Sequence, residues 1–173
     1  SAEWHAVKWK RVTALFVGAT ALQLLLGGSR HRGVWPIDVL LIATAVVARG
    51  GDSVTAVLFG GGMGLLEDAL SNDLLGMNAF AKASLGYVFA LLSLRVMFGG
   101  AWAVGAALAA ASLANDAIVA ALASLLLQAP VVLFSRENLW RAVATGVTGG
   151  IFEAARTFLW REWWEKRKLR RLR

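Results

Sequence analysis

The sequence predicts an all-α protein, a polytopic transmembrane bundle of about six helices, and three observations favour this fold class. Of the 173 residues, 58% are hydrophobic, compared with about 45–50% in soluble domains. The apolar residues form runs that can cross roughly 30 Å of bilayer hydrocarbon as helices. The eight tryptophans lie near the ends of these runs, where indole rings favour the membrane–water interface.

The first three predicted segments each have a recognisable boundary. Segment one, 12–28, is an apolar run that follows a charged stretch. Segment two, 34–48, opens with Pro36, which suits a first helical turn, and Asp38 suits the positive end of the helix dipole. Segment three, 53–70, is rich in glycine, which lets neighbouring helices approach closely in a membrane.

The last three segments follow short connections. Segment four, 79–98, comes after turn-forming residues, and Asn78 is a suitable helix N-cap. Segment five, 100–128, is long and alanine-rich, so it has the length to tilt or to extend past the headgroups. Segment six, 139–160, is expected to end at Trp160 in a cluster of tryptophans at the interface.

We expect a transmembrane domain at 12–160 between two charged flanks. The first flank, 1–11, is expected to be cytoplasmic or interfacial, and the second, 161–173, to be a cytoplasmic tail. The net charge is +7, and seven of the 18 lysines and arginines lie in the tail. We expect the tail to bind anionic lipid, with a cytoplasmic protein contact as the alternative. Nucleic-acid binding is not expected, because the apolar remainder has no soluble fold to present a basic groove. The predicted lipid-binding residues are Lys166, Arg167, Lys168, Arg170, Arg171 and Arg173.

Lysine and arginine also predict the orientation, because cytoplasmic loops of membrane proteins carry more of them than outer loops. The basic tail favours an even number of crossings with both termini in the cytoplasm. In this topology the inner flanks hold Lys8, Lys10, Arg11, Arg49 and Arg95, and the outer flanks hold Arg30, Arg32, Lys82, Arg136 and Arg141.

Acidic residues follow small residues on three of the predicted helices. On segment three, Gly60, Gly64 and Asp68 share one face, because residues four apart are neighbours on a helix. Segment five repeats this pattern, since Gly105, Ala109, Ser112 and Asp116 lie on one face, with Asn115 beside Asp116. Segment six has Gly146, Gly150 and Glu153, with Arg156 one turn beyond Glu153. Three interpretations remain open: bonds that hold the fold, contact with a partner, or a transported ion or ligand. The candidate partner-binding or packing residues are Gly60, Gly64, Glu67, Asp68, Gly76, Asn78, Asp116 and Glu153.

Catalysis is not expected. Paired carboxylates need a positioned nucleophile or substrate, and the segments contain no histidine, no cysteine and no GxSxG serine. The absence of cysteine also excludes disulfides and zinc–thiolate sites. His5 and His31 lie in charged flanks, so we predict no metal and no cofactor.

The middle of the chain resembles the MreD family of bacterial rod shape-determining membrane proteins. Pro36 opens the second segment in "VWPIDVLL", and Gly64–Asp68 form a "GLLxD" run at the end of the third. Leu75–Ala79 form an "LGxNA" turn before the fourth, with "GY" at 86–87. The resemblance covers roughly residues 34–90, and the remainder is similar in hydropathy only.

The resemblance implies a non-enzymatic subunit of the cell-elongation machinery in the bacterial inner membrane. The implied direct partner is MreC, a single-pass protein, which connects the family to MreB, RodA and a penicillin-binding transpeptidase. The family is also similar in size and architecture to the substrate-binding subunits of energy-coupling-factor vitamin transporters. Such a subunit is the alternative function, with Ala14 and Gly18 giving the helix-docking spacing.

Overall fold

The computed structural model describes residues 12–23, 37–50, 52–71, 74–95, 100–128 and 135–171, and the fold within them is entirely helical. These residues form six α-helices and no strand, which confirms the all-α class and the helix number. The helices are α1 (Val12–Gln23), α2 (Val39–Ala48), α3 (Ser53–Ser71), α4 (Met77–Arg95), α5 (Ala101–Leu127) and α6 (Arg136–Arg171).

The helix boundaries depart from the apolar segments chiefly at α6. This helix has 36 residues and continues through the predicted tail to Arg171, whereas the apolar segment was expected to end at 160. The sequence beyond Trp160 is rich in arginine, lysine and glutamate, which are good helix formers, so apolarity ends before helicity does. The side chains that were predicted to bind lipid lie outside the described residues, and so does Pro36.

Two of the described helices are long and apolar enough to cross a membrane, namely Ser53–Ser71 and the stretch Ala101–Leu126 of α5. Val12–Gln23 and Val39–Ala48 are apolar but shorter. Helix α2 begins at Val39 because Asp38 caps it: the carboxylate Oδ1 accepts a hydrogen bond of 2.8 Å from the Leu41 N–H.

Close backbone packing joins α3 to α4. A Cβ at Gly60 would overlap the carbonyl of Lys82, and a Cβ at Gly64 would overlap the backbone of Asn78. Gly86 on α4 makes the reciprocal approach to the Ala56 carbonyl. The predicted helix face of Gly60 and Gly64 therefore packs within the bundle and leaves no room there for a partner helix.

Helices α5 and α6 form a second close pair. A Cβ at Gly105 would lie 2.8 Å from the carbonyl oxygen of Gly146, and Gly150 lies against the first turn of α5. Helix α2 contacts both pairs, since Leu41 and Ala45 share a buried cluster with Phe89 of α4 and Leu108 of α5. Helix α2 therefore forms the centre of the bundle.

The outer surface of the bundle is strongly apolar. Leu58 on α3 is 64% exposed, Ile151 on α6 is 64% exposed, and Val17 on α1 is 61% exposed. By contrast, Lys82 and Asp68 are fully or almost fully buried. This inverts the usual arrangement, in which charged side chains are rarely buried unless they are paired.

Candidate functional site

Five charged side chains from five parts of the chain meet inside the bundle, and we call them the charge cluster. Lys82 on α4 is at its centre: its Nζ lies 2.7 Å from Oδ2 of Asp38 and 2.7 Å from Oε2 of Glu67. Arg141 on α6 stands further off, 3.9 Å from Oδ2 of Asp38 and 3.7 Å from Oδ1 of Asp116 on α5. The cluster thus links α2, α3, α4, α5 and α6.

Asp38 is placed in the cluster by its role as a helix cap. While its Oδ1 accepts from the Leu41 N–H, its own backbone N–H donates to Oγ1 of Thr145 on α6 at 3.0 Å. The second carboxylate oxygen is then directed at the Lys82 ammonium. The sequence predicted the helix start at Asp38 but not this ion pair.

Lys82 and Arg141, which the sequence assigned to the outer flanks, both take part in the charge cluster. Lys82 lies within α4 and is fully buried, because Gly60 lets α3 approach the backbone at this position. Arg141 lies within α6, with its side chain 36% exposed. A buried ammonium is costly unless it is paired, and Lys82 is paired with two carboxylates.

Helix α5 carries oxygen atoms without hydrogen-bond partners close in sequence to Asp116 of the charge cluster. In the described part of the chain, Oγ of Ser112, Oδ1 of Asn115 and Oδ2 of Asp116 are buried and unpartnered. The side chains of Ser112 and Asn115 are each only 1% exposed. Oε2 of Glu67 is also buried without a hydrogen-bond partner. It lies 2.7 Å from Nζ of Lys82 as an ion pair, but this contact lacks hydrogen-bond geometry.

Asp68 forms a separate constellation, which we call the Asp68 clasp. Its Oδ1 accepts from the backbone N–H and from Nδ2 of Asn78, at 3.2 and 2.9 Å. Its Oδ2 accepts from the N–H of Gly76 at 2.7 Å and from that of Ala79 at 3.4 Å. Gly76 has φ +107°, a conformation that favours glycine. The clasp closes the α3–α4 turn and satisfies amides at the start of α4.

Glu153 forms a third constellation at the opposite end of α2. Arg156 donates to both of its carboxylate oxygens, from Nη2 at 2.8 Å and from Nε at 3.0 Å. Nη1 of Arg49, next to the end of α2, lies 2.6 Å from Oε2 of Glu153. The sequence predicted the local pair with Arg156, and the structure adds a link between α2 and α6.

The predicted residues are thus distributed over several places. Glu67 and Asp116 belong to the charge cluster, while Asp68, Gly76 and Asn78 form the clasp. Gly60 and Gly64 lie in the α3–α4 contact, and Glu153 stands apart. Sequence reasoning missed Asp38, Lys82, Arg141 and Thr145 as members of a site. For Lys82, the available signal was a lone cation four residues before Gly86, on the face that packs against α3.

A groove of about 490 Å³ runs along the outer side of the α5–α6 pair, and every residue that lines it is apolar. It continues past Val143 into a hollow beside Arg136, Glu137 and Trp140. The groove is lined by Ala101, Trp102, Gly105, Ala106, Ala109, Val143, Gly146, Val147, Gly150, Ile151 and Ala154. The floor consists of glycine and alanine; Gly105 and Gly146 are buried in the α5–α6 contact, whereas Ala106 and Ala154 are exposed.

The described residues contain no group of three or more acidic, histidine or cysteine side chains placed to hold a metal ion. No family model matches the sequence, and no curated protein and no solved structure matches the chain. The three polar constellations and the groove are therefore the features of the molecule that bear on its function.

Proposed function

We propose that the chain is a non-catalytic, multi-pass subunit of the bacterial inner membrane that binds MreC in the cell-elongation machinery. Through MreC it would connect to MreB, RodA and a penicillin-binding transpeptidase, and so help to organise peptidoglycan synthesis and cell shape. The observation that carries this proposal is the Asp68 clasp.

The clasp is built from the motifs that carry the resemblance to the MreD family. Asp68 ends the "GLLxD" run, and Gly76 and Asn78 belong to the "LGxNA" turn. These residues bond to one another directly, and Gly64 of the same run contacts Asn78. The two motifs therefore form one hydrogen-bonded contact between α3 and α4. This contact supports an architecture shared with the MreD family more strongly than unconnected sequence matches would.

A membrane environment for the bundle is supported by the inverted distribution of side chains, and six spans with both termini in the cytoplasm are part of the proposal. Exposed residues such as Leu58 and Ile151 are apolar, while the charges of Asp38 and Lys82 are paired inside. Hydrocarbon solvates exposed apolar side chains well, whereas an unpaired charge within it is energetically unfavourable. Helices α3 and α5 have the required length and apolarity, and the remaining crossings are part of the proposal.

The surface that suits the MreC helix is the α5–α6 groove. From Arg136 to Ala154 the groove and its outer hollow extend about 27 Å along α6, close to the thickness of bilayer hydrocarbon. Its lining carries no charge, whereas Arg136 and Glu137 flank its end. One single-pass helix with an apolar centre and polar flanks matches this pattern, and the small floor residues permit close helix contact.

Two neighbouring alanines on α6 provide a matched test. Ala154 lines the groove and Ala155 does not, although both are exposed. Ala154→Leu should reduce co-purification of MreC with the detergent-solubilised chain by about tenfold, whereas Ala155→Leu should leave it unchanged. Ala106→Leu, in the groove on α5, should act like Ala154→Leu. Equal recovery with all three variants would contradict docking in the groove, and failure of the wild-type chain to recover MreC would contradict the proposed function.

The vitamin-transporter alternative is favoured by one observation on α1. Gly18 is exposed, with open space where a Cβ would lie, and Ala14 one turn before it is also exposed. This face could approach a coupling subunit closely. Mass spectrometry of the purified chain separates the two functions: a stoichiometric co-purifying vitamin would support the transporter.

A further inference from the structure

We propose that the charge cluster binds one small monovalent cation, of the sodium class, on the oxygen atoms that α5 presents. The ligands from this chain would be Oγ of Ser112, Oδ1 of Asn115 and Oδ2 of Asp116. This inference rests on the fold and the cluster alone, and it does not depend on the assignment to cell elongation.

The first observation is the set of unpartnered atoms. Asn115 and Asp116 follow Ser112 by three and four residues, so each of them is a neighbour of Ser112 on the helix surface. All three carry a buried oxygen that lacks a hydrogen-bond partner among the described residues. Buried polar atoms are normally satisfied, so three in one turn indicate an occupant. Oδ1 of Asn115 and an ionised Asp116 carboxylate can only accept, so their occupant is a cation or a hydrogen-bond donor, and the Ser112 hydroxyl oxygen can be a further ligand.

The second observation is the charge of the cluster. With every group ionised, the three carboxylates of Asp38, Glu67 and Asp116 exceed the two cations of Lys82 and Arg141 by one negative charge. An uncompensated charge inside a low-dielectric bundle is unfavourable. One monovalent cation beside Asp116 would neutralise the cluster, whereas a neutral ligand would not.

The geometry also favours a monovalent over a divalent ion. Asp38 and Glu67 each have one oxygen 2.7 Å from Lys82 Nζ, and Arg141 faces Oδ1 of Asp116, so Oδ2 of Asp116 is a buried carboxylate oxygen without an ion-pair partner. Calcium takes about 6–8 oxygen ligands, and any divalent ion would change the net charge of the ionised cluster from −1 to +1. One carboxylate oxygen with two neutral oxygens, completed by water, suits a singly charged ion.

The test is equilibrium binding of ²²Na⁺ to the purified full-length chain in detergent, at constant ionic strength maintained with choline chloride. We expect saturable binding of about one ion per chain, displaced by unlabelled sodium but not by choline. Asp116→Asn should weaken binding at least tenfold because it removes the negative charge while preserving the shape. Ser112→Ala should also weaken binding because it removes one ligand oxygen. This change deletes a single hydroxyl group, so the variant is expected to fold.

Two control variants preserve the site. Glu137→Gln removes an exposed acid at the start of α6, and Ser124→Ala removes a hydroxyl from α5, the helix that carries the proposed ligands, so both should bind sodium like the wild type. The absence of saturable ²²Na⁺ binding to the wild-type chain would overturn the proposal and indicate a proton or water in the cluster. Undiminished binding by both Asp116→Asn and Ser112→Ala would overturn it as well.

Discussion

Replacing Lys82 by methionine tests the charge cluster most severely. The ammonium contacts two carboxylates at 2.7 Å in a fully buried position. Lys82→Met preserves the length of the side chain but leaves Oε2 of Glu67 without a cation. Asp38 retains only Arg141, at 3.9 Å. Removing one partner from a buried ion pair costs about 3–5 kcal/mol, because the remaining charge stays buried.

This loss would lower the ratio of folded to unfolded protein on the order of 100-fold or more. The free energy of unfolding would be measured in detergent from tryptophan fluorescence during denaturation by SDS. The matched control is Arg136→Met, which removes an exposed cation from the start of α6 and should change stability by no more than about 0.5 kcal/mol.

A double variant identifies the cause of the loss. Glu67→Gln combined with Lys82→Met removes both charges of one pair, so it should be about 1–3 kcal/mol more stable than Lys82→Met alone. If Lys82→Met unfolds within about 1 kcal/mol of the wild type, Lys82 is not buried between two charged groups. In that case the reasoning for the whole cluster fails.

The remaining predictions concern the other contacts between helices. Gly64→Leu should prevent stable folding, since a Cβ would overlap the Asn78 backbone; a monodisperse, helical variant by size exclusion and circular dichroism would contradict this close approach. Asp68→Ala should cost about 2–3 kcal/mol of unfolding free energy, because buried amides at the start of α4 lose their acceptor, whereas an unchanged denaturation midpoint would show that the clasp is dispensable. Arg49→Gln should lower the thermal midpoint measurably, since it breaks the link from α2 to Glu153, and a midpoint equal to that of wild type would exclude a role for this link.

The sequence predicted the helical class and most helix boundaries because apolar length is a local property. Helix α6 continues past the predicted end of its apolar segment for a physical reason. The end of an apolar run marks the edge of the hydrocarbon, whereas a helix continues as long as its residues favour it. The stretch up to Arg171 has such residues, so the helix extends beyond the segment expected to end at 160.

The distribution of the acids could be predicted only in part. Glu67 and Asp68 are adjacent, yet a helix turns about 100° between them, so one joins the charge cluster and the other closes the α3–α4 turn. The stripe ending at Asp68 was recognised from its spacing. The burial of Lys82 was not predicted, because it depends on the close approach of Gly60 on another helix.

The central claim is that hydrocarbon surrounds the outer face of this bundle, and cysteine labelling tests it most directly. The chain has no cysteine, so single substitutions at Leu58, at Ile151 and, as an aqueous control, at Glu137 give unambiguous signals. In open native membranes, a charged maleimide should label the Glu137→Cys variant, while Leu58→Cys and Ile151→Cys should react only after denaturation in SDS. Rapid labelling of both apolar positions in intact membranes would contradict the account.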